Sequence, residues 1–147
     1  KMAAFTGLRL GDLVKLDWDL HVRDKAIIFV AKKRKGRAVI PITPTLRRLL
    51  DRREWRTRPV LRNSRGKAWT ESGLGSVFQK HKPEWFDRTM HDLRGTYVKW
   101  LAVMGLTDEQ IARIVGWTAK RVSEVRARYV GEQRVIVSLV ERLTAVK

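Results

Sequence analysis

Thirty-two lysine and arginine side chains, three histidines and two tyrosines are the groups in this 147-residue sequence with the most chemistry to offer. Fourteen of the cations fall between Lys32 and Lys67, against only two acids there, Asp51 and Glu54. Arginine forks match phosphate oxygens two at a time, so a stretch this lopsided reads as a footprint for phosphates. His91 and Arg94 stand three residues apart, a spacing that puts both on one side of a helix where they reach one phosphate. Near neutral pH the imidazole can either move a proton or donate a hydrogen bond. His21 and His81 have no neighbours of metal-ligand type and read as surface or loop residues, so no metal site is expected. The chain has no cysteine, which excludes disulfides, thiolate ligands and a thiol nucleophile. Glycine-rich phosphate loops, a Ser-His-Asp arrangement and paired carboxylates are missing too.

The whole chain carries a formal charge of +17 and a pI near 11.2, far beyond what solubility calls for. That charge points to a polyanionic partner. Apolar runs extend only a few residues and no signal peptide opens the chain, so a membrane is set aside and nucleic acid leads, with cytoplasmic residence as the expectation.

The elements that must position these groups follow from local pattern. The opening Lys1 to Leu10 reads as the tail of a helix already in progress, which suggests a fragment of a longer protein. Leu8, Leu10, Leu13, Val14 and Leu16 form a helical stripe that Asp17-Trp18-Asp19 breaks. Residues 26–30 and 38–42 are β-rich runs that read as a hairpin with a cationic tip, Lys32 to Lys35. Thr43-Pro44 starts a helix running to about Trp55. A further helix runs from Thr70 toward His81, where Pro83 ends it. From Met90 the residues Leu93, Tyr97, Trp100, Leu101 and Met104 recur at helical spacing until Gly105, with His91 and Arg94 on the flank. Thr107 and Gln110 match a capping box for a helix that Gly116 stops. A helix from about Ala119 carries Val122 and Val125 toward Tyr129, and a last one after Gly131 shows Val135, Ile136, Leu139, Val140, Leu143 and Val146 on one face. The expected fold is mainly α with a small antiparallel β-sheet, in one domain over residues 1–147.

The pieces Thr6 to Leu16 (TGLRLGDLVKL), His91 to Val98 (HDLRGTYV) and Gly116-Trp117 with Tyr129 resemble the tyrosine recombinase, or phage integrase, family over nearly the whole chain. The resemblance implies that family's catalytic-domain fold and a set of six: Arg9, Lys33, His91, Arg94, Trp117 and Tyr129. Displacement at a phosphodiester crowds charge onto the non-bridging oxygens, which Arg9 and Arg94 would bind. Tyr129 would attack and form a covalent 3′-phosphotyrosine, needing no ATP, metal or other cofactor. Packing on the Val122–Val125 stripe is the alternative for Tyr129, and twelve positions separate it from Trp117, more than in many family members. Tyr97, inside its own apolar stripe, is a core residue. Lys33 would protonate the departing 5′ oxygen, with Lys32 and Lys35 open as alternatives. Lys32, Arg34, Lys35 and Arg37 are expected to bind DNA. Trp117 stands where most of the family has histidine, and its indole N–H would donate to the phosphate. Asp12, three residues after Arg9, is a candidate to orient it by an ion pair.

The resemblance further implies a prokaryotic or phage-encoded recombinase acting on double-stranded DNA. It would work as a homo-oligomer, a tetramer on DNA, with possible exchange of the C-terminal helix and an N-terminal DNA-binding domain missing from this sequence. A non-cleaving DNA-binding module of the same fold and a type IB topoisomerase are the competing readings.

Overall fold

The computed structural model describes residues 1–30, 36–129 and 132–145, with the backbone alone for residues 129, 132–136 and 138. The tip lysines and arginine, Lys32, Lys33, Arg34 and Lys35, lie outside the described residues.

Helix α1 (Met2–Thr6) stops at Gly7, whose φ of 62° is left-handed. A side chain there would also collide with Tyr97, since a Cβ would lie 2.5 Å from its ring carbon Cδ1. Glycine is therefore required twice over, by backbone and by neighbour. The turn is tied by the Thr6 hydroxyl, which donates to the Met2 carbonyl and accepts the Leu8 N–H. Arg9 follows in an extended conformation (φ −68°, ψ 157°) as the residue before the one-turn helix α2 (Leu10–Leu13). The continuous stripe expected from Leu8 to Leu16 is thus divided, and Arg9 lies ahead of the helix rather than in it. Asp17 starts a helix instead of ending one: its carboxylate accepts the N–H groups of Asp19 and Leu20 at 2.9 and 3.2 Å and caps α3 (Trp18–His21).

Strands β1 (Ala26–Val30) and β2 (Arg37–Pro41) form the antiparallel hairpin, with Ile27 facing Ile40 and Phe29 facing Ala38. Those four are buried, as the period of two requires. Thr43 caps α4 (Pro44–Asp51), which ends short of Trp55. Trp55 instead donates its indole N–H to the Pro59 carbonyl and supports the Arg62 guanidinium at 4.8 Å. Helix α5 (Glu71–His81) begins at its Thr70 cap as expected.

Helix α6 (Asp92–Val103) runs through the middle, burying Tyr97, Val98, Leu101 and Ala102. It packs on α1, on α7 (Asp108–Val115) and on α8 (Ala119–Tyr129), while α7 lies against β2. The Thr107–Gln110 capping box is formed, and Gly116 ends α7 at φ 69°. Helix α9 (Glu132–Ala145) rests on the end of α6, where Arg142 donates to the Met104 carbonyl, and leaves Val137, Val140 and Leu143 exposed.

His21 is more than a surface residue. Its Nδ1 accepts the Asp17 N–H at 2.9 Å and its ring packs on Phe29, 4.7 Å between centroids. His81 is exposed at the end of α5. Burial pushes the His21 pKa below the ordinary histidine value, because the charged form loses water. The unfolded chain then binds the extra proton more readily, so this stability is fully present above pH about 6.5 and is lost as pH falls through the folded pKa. His21→Asn offers an acceptor that does not titrate. We expect its thermal midpoint to fall less steeply than the wild type's between pH 7 and 5.

Candidate active site

Arg94 lies on the first turn of α6 and points inward, only 6% exposed, rather than on the flank of the apolar stripe. Its Nη2 donates to the carbonyl of Val115, the last residue of α7, at 3.3 Å. Carbonyls at a helix C-terminus carry partial negative charge, which suits a cation. The guanidinium carbon also sits 4.9 Å from the centre of the Trp117 ring.

Trp117 reaches that position because Gly116 turns left-handed against the hairpin. A Cβ on Gly116 would come 3.2 Å from the Ala38 backbone nitrogen, so the end of α7 abuts β2. The Trp117 indole nitrogen is covered and has no hydrogen-bond acceptor among the described residues.

A cleft of about 340 Å³ brings together Arg9, Arg94 and Trp117, with Gly36 on its wall. A neighbouring cleft of about 290 Å³ is lined by His91, Arg94 and Trp117 together with Arg88, Lys99 and Arg128. Arg9 and His91 share a third opening with Asp12. Four of the six expected residues, Arg9, His91, Arg94 and Trp117, are thus gathered from positions more than a hundred residues apart. Of the other two, Lys33 lies outside the described residues, though Gly36, three residues on, lines the cleft of Arg9. Tyr129 is the last residue of α8 and its side chain lies outside the description, while Val125 and Arg128 of the same helix line the cleft of His91 and Arg94. Arg37 is exposed at the start of β2, beside Gly36.

His91 is exposed and precedes α6 rather than standing within it. The start of that helix is fixed by a bracket that was not apparent from the sequence. The Asp92 carboxylate accepts from the Thr89 N–H and hydroxyl at 2.7 and 2.8 Å, and these bonds hold its pKa below the usual carboxylate value. Asp12 makes no ion pair with Arg9 among the described residues, so the expected orienting contact is not formed.

Tyr97 is 2% exposed, stacks on Trp100, and has its phenol pushed up to about 12 by burial. That phenol resists ionisation and belongs to the core, as its place in the stripe implies.

One ion pair fastens α8. Arg126 meets Asp108 at 2.8 Å, across the start of α7, and donates to the Leu106 carbonyl at 2.7 Å. Eighteen positions separate the partners, so no local pattern announces them. Arg121, also unremarked in the sequence, lines the clefts of Arg9, His91 and Arg94 alike. Among the described residues no cluster of histidines and carboxylates is fit to hold a metal, and no helix is long and apolar enough to cross a membrane.

With this geometry the chain resembles several solved structures. A lambda integrase dimer bound to a COC′ core site superposes with a TM-score of 0.67 at 19% identity, over 85% of this chain and 49% of that one. XerA recombinase gives 0.69 at 15%, over 96% and 54%. The Tn1549 transposon integrase in complex with transposon right-end DNA gives 0.66 at 18%, over 97% and 57%. This is the tyrosine recombinase catalytic-domain fold. The chain spans about half the length of those solved chains. No protein-family model and no curated protein matches the sequence.

Within this fold α8 ends on Tyr129, so whatever anchors that helix fixes where its last turn lies. Arg126→Ala should cost about 1–3 kcal/mol through the lost charged hydrogen bond and the stranded Asp108 carboxylate. Hydrogen exchange should register it as faster exchange of the α8 amides, with those of α6 little changed.

Proposed function

We propose that this chain is the catalytic part of a tyrosine-type site-specific DNA recombinase or integrase, which cuts and rejoins double-stranded DNA through a covalent 3′-phosphotyrosine. The observation that carries this reading is the meeting of Arg9, Arg94 and Trp117 in one cleft, beside β2, which begins four positions after Lys33. Fold similarity to integrases solved with DNA supports it, as does the +17 charge.

In this mechanism Arg9 and Arg94 bind the non-bridging oxygens of the scissile phosphate and stabilise the charge that builds there. The Tyr129 phenolic oxygen bonds to phosphorus as the bond from phosphorus to the 5′ oxygen breaks. His91 assists with the phenol proton or a phosphate oxygen, and Lys33 delivers a proton to the departing 5′ oxygen. Trp117, whose indole N–H has no acceptor among the described residues, would donate it to the phosphate. The phosphotyrosine keeps the bond energy, and a second 5′ hydroxyl later displaces the tyrosine, so neither ATP nor metal enters the balance. Lys32, Arg34, Lys35 and Arg37 bind flanking backbone phosphates. The exposed Val137, Val140 and Leu143 of α9 support assembly into a multimer on DNA by exchange of that helix.

A nicked suicide duplex, which loses its short leaving strand after cleavage, tests the reading. The wild type should accumulate a covalent DNA adduct, and Tyr129→Phe should form none; an adduct that persists in Tyr129→Phe would falsify the assignment. Arg94→Lys keeps the charge but loses the fork. It should slow single-turnover cleavage about 100-fold while duplex affinity changes little. Relaxation of supercoiled plasmid without site preference would point to a topoisomerase instead.

A further inference from the structure

Arg121 stands where the clefts meet and has no part in the set of six. It lies in the first turn of α8, half-buried, with its guanidinium carbon 4.6 Å from the centre of the Trp117 ring. It lines one cleft with Arg9 and Arg94, another with His91 and Arg94, and a third with Arg9 and His91. We propose that Arg121 touches the substrate directly, as a third guanidinium on the same phosphate that Arg9 and Arg94 bind. This rests on the phosphoryl-transfer reading above.

Three observations carry it. First, Arg121 has no ion pair among the described residues, whereas Arg126, five positions on in the same helix, is paired with Asp108. On α8 Arg126 is spent on structure, while Arg121 is left to bind. Second, Arg94 and Arg121 lean on the same indole, which places the two cations within about 10 Å of each other. In a partly desolvated cleft they repel, and an anion held by both offsets that repulsion. Third, Lys120 and Arg121 open α8 with no acid in its first turn. Cations at a helix N-terminus oppose the helix dipole and cost stability, yet they add to the potential that draws an anion in. A guanidinium that rests one face on an indole keeps its in-plane N–H donors available to an anion.

The test compares wild type, Arg121→Met, which keeps the stem over the indole, and Arg113→Ala, which removes a charge from the exposed side of α7. Arg121→Lys replaces the methionine variant if that one does not fold. Inorganic phosphate, titrated into each protein, should bind roughly tenfold more weakly to Arg121→Met than to Arg113→Ala. On the nicked suicide duplex, Arg121→Met should cleave about 100-fold more slowly than wild type. That deficit should shrink below about threefold when the scissile phosphate is a methylphosphonate, which has no charge for the guanidinium to meet. Equal phosphate binding by Arg121→Met and Arg113→Ala overturns the proposal, and so does an equal deficit on both duplexes, which would mark Arg121 as positioning Trp117 instead. If wild type forms no covalent adduct while Arg121→Met still loses phosphate, the recombinase reading fails and the anion site at Arg121 stands.

Discussion

A guanidinium almost wholly removed from water is the constraint around which this domain is built. Burying a cation is costly unless it is bonded and faced by negative charge or π electrons. Arg94 meets both conditions at once, through the carbonyl that ends α7 and the ring of Trp117. Each of those supports is itself held by Gly116, which presses the end of α7 onto β2. The central helix, the α7 terminus and the hairpin are therefore fixed with respect to one another by the requirement of a single charged side chain. A group held this firmly is already oriented before any ligand arrives, which is what electrostatic stabilisation of a transition state demands.

Much of the scaffold was readable in advance because its signals are local. Thr43, Thr70 and Thr107 each stop a helix from starting elsewhere by accepting a backbone N–H within three residues. Gly105 and Gly116 end helices through backbone torsions that depend on no distant partner. The hairpin followed from two β-branched runs, and Tyr97 from its place in an apolar stripe. Aspartate misled at Asp17, since the same residue type ends one pattern and caps the next.

What local pattern does not carry is the facing of a charged side chain. Whether a charged residue faces solvent or the interior depends on partners the local sequence does not contain. For Arg94 those partners are Val115 and Trp117, more than twenty positions away, and for Arg126 the partner is Asp108. Arg9 left its expected helix because the left-handed Gly7, packed on Tyr97, redirects the chain. Arg121 carries no local mark at all; only the folding of α8 over the clefts gives it a place among the others.

Arg9, His91 and Trp117 all stand beside helix ends, two of them just past a glycine with positive φ. The working geometry is thus set at the joints of the frame, while the struts between joints need only keep their length and one oily side. Struts of that kind can be rebuilt from very different residues without displacing a joint. A domain made this way can drift far in sequence while its shape and its gathering of cations endure.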